Sequence, residues 1–139
     1  MKLVFGNRSK SVVTAVSIFK EVEAWAAHPS NAGGYVLIDQ LSEIVNPTAE
    51  DMEWLASPEA AAKGFSAPDS TTLASKVDML EWTAKTLRQV GVYCNVAVIL
   101  AHQVNSAEQK DQLYSKRSVR GSQGIVHKCD AVIGLFRPE

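Results

Sequence analysis

Two short runs of consecutive apolar residues constrain this chain more than any other feature of its sequence. Residues 35–38 read Tyr-Val-Leu-Ile and stop at a carboxylate, Asp39, and residues 96–100 read Val-Ala-Val-Ile-Leu. Neither run alternates apolar with polar residues, which is typical of strands covered on both faces, as in parallel sheets. Residues 71–90, which lie between the runs, have helical periodicity. The order strand, helix, strand predicts an α/β fold with parallel strands joined by crossover helices.

Further secondary structure is predicted on either side of these runs. Residues 2–5 form an apolar run that Gly6 ends, and the apolar spacing after it predicts a turn and a helix. The apolar positions of that helix are Val12, Val16, Phe19, Val22 and Trp25. In the helix predicted over residues 71–90, the positions expected to face the core are Leu73, Val77, Leu80 and Leu87. A last apolar run covers residues 131–136.

The length of 139 residues suits one compact domain and is short for two. We therefore treat residues 1–139 as a single unit. The composition changes between residues 46 and 70, where three prolines punctuate an acidic, alanine-rich stretch. We predict a mobile insertion there, with Thr48 as the N-cap of a short helix that runs to Leu55.

Charge and cysteine usage exclude several classes of protein. The formal net charge is −1, so the chain has no overall basic field, and any contact with nucleic acid must be local. Cys94 and Cys129 lie far apart and have no neighbour at metal-ligand spacing, which indicates neither a disulfide framework nor a zinc site. The first ten residues lack the apolar run of a signal peptide, and no stretch is long enough to cross a bilayer. We expect a cytoplasmic protein without membrane contact.

Polar side chains follow both predicted strands at the point where each strand ends. Ligands of parallel sheets collect at this edge, because the loops after the strands converge there. Asp39 can hold Mg²⁺ directly or through water, and His102 or Gln103 can hydrogen-bond a terminal phosphate. Two alternatives stay open: Asp39 can simply cap the following loop, and the His102–Gln103 pair can be a solvated turn.

One stretch of the chain is clearly basic. Residues 108–120 carry Glu108 and Asp111 against four cationic side chains, which are Lys110, Lys116, Arg117 and Arg120. These cations can neutralise the phosphates of single-stranded DNA, although a solvated charged loop is the alternative for each of them. Tyr114 is the one aromatic residue in the stretch that can stack on a base.

The order of these features resembles a known family. Residues 35–42 look like the Walker B strand of hexameric DnaB-type replicative helicases and phage primase-helicases, in which the aspartate serves Mg²⁺, and the resemblance gives Asp39 that role. Residues 96–105 resemble the next strand, which ends in a phosphate-sensing Gln in DnaB proteins and in a His in phage relatives. Because His102 and Gln103 stand side by side here, the resemblance leaves open which of them is the catalytic sensor.

Two later segments extend the resemblance. Residues 119–125 are similar to the family's Leu-Arg-Gly-Ser-Gly stretch, and residues 129–137 are similar to the Ala-Asp strand that follows it. The match spans about residues 34–137 and implies an incomplete, parallel-sheet RecA-like P-loop NTPase core that uses ATP and Mg²⁺, with Asp39 and Gln103 at the nucleotide. It also implies a hexameric ring in phage or prophage DNA replication, and it makes residues 103–122 the loop that faces single-stranded DNA.

One essential part of such a motor is missing from the sequence. A phosphate-binding loop needs the pattern G-x-x-x-x-G-K-[ST], and the nearest imitation, residues 6–11, lacks its second glycine and its spacing. The family's arginine finger is absent as well. We therefore expect weak ATP binding and no hydrolysis by this chain alone, as for a fragment, a degenerate copy, or one half of a split motor whose partner chain carries the phosphate loop.

Two other functions remain as alternatives. The first is a non-catalytic DNA-binding or ring-assembly module derived from the same fold, which the missing phosphate loop favours. The second is another RecA-like ATPase, such as a recombinase, whose Walker B strand would look alike. The sequence Arg120-Gly121-Ser122 argues against the second alternative.

Overall fold

The computed structural model describes residues 12–103 and 123–135. The helices and strands in these ranges are α1 (Ala15–Ala26), β1 (Tyr35–Asp39), α2 (Ala49–Leu55), α3 (Pro58–Ala62), α4 (Ser70–Ala74), α5 (Lys76–Cys94), β2 (Ala97–Ala101) and α6 (Gln123–His127). Single 3-10 turns lie at Pro29–Asn31 and Leu41–Glu43. The strand predicted at residues 2–5 lies outside the described residues.

The strands β1 and β2 form a two-stranded sheet within the described ranges, and they run parallel. Tyr35 lies opposite Ala97, and the register continues until Asp39 lies opposite Ala101. Helix α5 precedes β2 directly and contacts it, as a crossover helix does. The predicted α/β class with parallel strands is therefore confirmed at this level.

The two faces of the sheet differ. Val36, Ile38, Val98 and Leu100 pack against a core built from α1, α5 and α6. On the other face Tyr35, Leu37 and Ile99 are exposed by 60%, 62% and 49%. The prediction that both strands are covered on both faces is therefore wrong, because the core helices all pack on the same side.

Helix α1 follows the prediction closely. Thr14 is its N-cap: the hydroxyl accepts from the amide of Ser17 at 3.1 Å, and the Thr14 amide donates back to Ser17 Oγ at 2.9 Å. Val16, Phe19 and Val22 are buried at the predicted helical spacing. Val12 precedes the helix and is exposed, so the buried stripe begins one turn later than predicted.

The single helix predicted over residues 71–90 is two helices, α4 and α5. Ser75 separates them in an extended conformation, and its hydroxyl caps α5 by accepting from the amide of Asp78 at 3.2 Å. The first buried residue of α5 is Met79, and Leu87 is fully buried. Leu73 and Val77 are exposed, which corrects their predicted place in the core: they lie before the part of α5 that packs on the sheet.

The segment between residues 46 and 70 is built around two short helices, α2 and α3. Thr48 caps α2 as predicted: its hydroxyl accepts from the amide of Asp51 at 3.1 Å, and α2 ends at Leu55. Leu55, Ala60 and Phe65 are buried in the same core as α1 and α5. The mobility of this segment stays a prediction, but its side chains belong to the core.

The last apolar run is not a strand where the structure describes it. Residues 131–135 have no helix or strand, and Ile133 and Leu135 are exposed by 83% and 87%. The strand that the family resemblance implies is therefore not formed over these residues. Within residues 12–103 and 123–135, no helix has the length and apolar character needed to cross a membrane.

Candidate functional site

Parallel pairing brings the carboxyl ends of β1 and β2 to one edge of the sheet. Asp39 lies opposite Ala101, so His102 and Gln103 leave the sheet beside the point where β1 ends. The sequence-predicted metal residue and the two candidate phosphate sensors therefore follow neighbouring strands. Their chemical roles stay predictions.

The carboxylate of Asp39 belongs to the open face of the sheet. Side chains alternate along a strand, so Tyr35, Leu37 and Asp39 share one face, and all three are exposed. No Lys or Arg forms an ion pair with Asp39 among residues 12–103 and 123–135. A solvated carboxylate without an ion pair to these described residues keeps its oxygens available to a metal ion, as far as they are concerned.

The turn after β1 bears on the alternative that Asp39 caps the following loop. The 3-10 turn Leu41–Glu43 has Gln40 at its N-cap, and no side chain makes a capping hydrogen bond there. The described residues thus show no capping hydrogen bond at this turn, and the role of Asp39 stays a prediction. The peptide bond between Asp39 and Gln40 is cis. Leu41 is fully buried and fixes the chain two residues after Asp39.

The side chains that follow β2 differ in burial. His102 is half-buried and its Nδ1 atom is buried, whereas Gln103 is exposed. A half-buried ring is held by its surroundings, and an exposed amide on the next residue can reach a bound group. His102 is therefore the less exposed of the two candidate sensors, and which of them has that role stays open.

Glycine at two positions lets the strands begin close to their helices. A Cβ atom added at Gly34, directly before β1, would lie 2.5 Å from Cη2 of Trp25 in α1. A Cβ atom at Gly91 in α5 would lie 3.0 Å from the carbonyl oxygen of Val96, directly before β2. Both strand starts therefore approach their helices at positions where a side chain would be crowded.

Asp39 fits a magnesium ion that is shared with phosphates better than a protein-built metal cage. Among the described residues, no group of three or more His, Cys, Asp or Glu side chains comes together. Mg²⁺ bound with a nucleotide needs one or two carboxylates, because phosphates and water complete its shell. The 139 residues contain no G-x-x-x-x-G-K-[ST] pattern, and the metal role of Asp39 stays a prediction.

The predicted DNA contacts lie outside the described residues. This applies to Lys110, Lys116, Arg117 and Arg120. Their roles stay predictions from the sequence.

Sequence reasoning missed a cationic centre beside the aromatic core. The ammonium of Lys63 lies 2.7 Å from Oε1 of Glu23 and 2.9 Å from Oε1 of Glu59. It also stands over the rings of Phe19 and Tyr93, at 5.4 and 5.5 Å from their centroids. Hydrogen bonds from the two carboxylates raise the pKa of Lys63 above its usual range. The Glu59–Lys63 pair has the i,i+4 spacing of a helical ion pair, which the sequence could have revealed. The contact with Glu23 had no local signal, because Glu23 lies 40 residues from Lys63.

A small surface pocket of about 140 Å³ lies between α5 and the chain that leads from α3 to α4. The indole nitrogen of Trp82 donates to the Ser66 carbonyl at 3.1 Å, and the Gln89 amide donates to the Lys63 carbonyl at 2.8 Å. These hydrogen bonds tie the pocket walls to each other. We therefore assign the pocket a structural role rather than a binding one.

The two cysteines are free and half-buried. Burial raises the pKa of the Cys94 thiol and that of the Cys129 thiol. Both side chains therefore remain in the thiol form at neutral pH, which is the unreactive form.

No protein-family model matches the chain, and no curated protein or solved structure is significantly similar to it. The fold and the edge geometry therefore define a mixed α/β chain with a small parallel sheet. Its function has to be argued from the residues themselves.

Proposed function

We propose that this chain is a segment of the motor of a ring-forming replicative DNA helicase of the DnaB type. In this proposal a RecA-like core couples ATP hydrolysis to movement along single-stranded DNA, and the chain is inactive alone. The observation that carries the proposal is the register of the two strands. Asp39 lies opposite Ala101, so an exposed carboxylate and the His102–Gln103 pair share one edge of a parallel sheet.

The roles follow from the chemistry of phosphoryl transfer. The reaction develops negative charge on phosphate oxygens, which Mg²⁺ neutralises, so a carboxylate must hold the metal at the site. Asp39 has that role. A side-chain donor that contacts the terminal phosphate reports its loss after hydrolysis, and His102 or Gln103 has that role. Gln103 leads into residues 104–122, which carry the cations proposed to contact DNA.

The missing phosphate loop limits what one chain can do. The backbone amides and the lysine of a phosphate loop are the groups that bind the phosphates of ATP tightly. Without them, Asp39 alone gives weak binding of the metal–nucleotide complex. In this proposal, hydrolysis therefore needs a phosphate loop from outside these 139 residues.

The metal role of Asp39 is tested by NMR of the purified chain. Titration with Mn²⁺–ATP should broaden the amide signals around Asp39 and residues 101–103 first, and Mg²⁺–ATP serves as the diamagnetic reference. Asp39→Asn should abolish the selective broadening. Glu53→Gln, which removes an exposed carboxylate on α2, should leave it unchanged. Broadening that is absent from this edge, or that persists in Asp39→Asn, would refute the assignment.

The motor role is tested by hydrolysis. The chain alone should not turn over ATP; turnover with Mg²⁺ that is lost in Asp39→Ala would contradict the proposed inactivity. A second, RecA-like chain that has a phosphate loop but lacks its own metal-binding aspartate should regain hydrolysis on mixing with this chain, and should not regain it with Asp39→Asn.

The specific rival is a non-catalytic DNA-binding or ring-assembly module, which the absent phosphate-loop pattern favours. It predicts single-stranded DNA binding or ring contacts without any restored hydrolysis. The mixing experiment therefore separates the two functions.

A further inference from the structure

We draw no further inference here: the strongest candidate, the open apolar face of the sheet formed by Tyr35, Leu37 and Ile99, carries no proposal because nothing in residues 12–103 and 123–135 shows what covers it.

Discussion

The ammonium of Lys63 donates a hydrogen bond of 2.7 Å to Oε1 of Glu23, which lies 40 residues earlier in the chain. The contact joins the end of α3 to α1, and the Lys63 ammonium stands over the rings of Phe19 and Tyr93. It shows that the segment between residues 46 and 70 is tied to the helices that support the sheet.

We predict that Lys63→Met lowers the free energy of unfolding by about 1 kcal/mol, since the change removes two partly solvated ion pairs and a cation over two rings. Urea denaturation measures the difference. Lys85→Met is the matched control, because Lys85 is exposed and forms no ion pair among the described residues; it should change the midpoint little. An equal loss in both variants would mean that the Lys63 cluster contributes nothing specific.

The same cluster predicts a pH dependence. The pKa of Glu59 is lowered from its usual value of 4.5, mainly by its hydrogen bond to Lys63. A lowered carboxyl pKa contributes stability above the unfolded-state value, and this contribution disappears as the pH falls through the folded-state value. The raised pKa of Lys63 keeps its charge throughout this range. The difference in urea midpoint between wild type and Lys63→Met should therefore be constant near neutrality and shrink below about pH 4.5; a difference that grows in acid would contradict the assignment.

Gly34 gives a third prediction. A methyl group there would meet the ring of Trp25, so Gly34→Ala should cost about 1–3 kcal/mol of stability through overpacking. Trp25→Leu removes the outer ring atoms, and adding it should cancel much of the cost of the alanine. The measurement is a double-mutant cycle by urea denaturation. If the losses in free energy of unfolding for Gly34→Ala and Trp25→Leu simply add in the double variant, the contact between residue 34 and Trp25 is not the cause of the cost of the alanine.

The two faces of the sheet give a fourth prediction. Leu41 is fully buried below the turn that follows Asp39, so Leu41→Ala should cost about 2–5 kcal/mol. Leu37 is largely exposed, so Leu37→Ala should cost less than about 1 kcal/mol. A large loss for Leu37→Ala in the monomer would mean that the chain itself covers the open face.

Particular residues show how far sequence reasoning reached. The two strands were predictable because each is a short apolar run between turn-forming residues, and Thr48 was predictable because capping is a local interaction. Ser75 carried the same kind of signal, a serine three residues before Asp78, which the helical periodicity around it obscured. Helix caps and short strands of this kind can be predicted from sequence, because they depend on neighbouring residues.

Other features depend on what lies beyond the local segment. Leu37 and Ile38 are equivalent in the apolar run, yet one faces water and the other faces the core. Periodicity reports which residues are apolar and not which helices cover them. The edge shared by Asp39 and His102 could be predicted from the rule for parallel sheets, whereas the pairing of Lys63 with Glu23 had no sequence signal.

The basic stretch gives the last prediction, which tests the DNA contact of the proposed motor. Residues 108–120 carry Lys116 and Arg117 side by side, and each phosphate contact releases counterions from single-stranded DNA. Replacing both by Ala should weaken binding to a fluorescent oligothymidine and reduce the salt dependence of log K by about 0.7 per lost contact. Lys20→Ala together with Lys85→Ala removes the same charge from the described helices and is the control for net charge. Fluorescence anisotropy at several salt concentrations measures both slopes. If the slope of log K against log salt concentration is the same for both double variants, binding depends only on net charge. That result would contradict the DNA-binding role of residues 108–120.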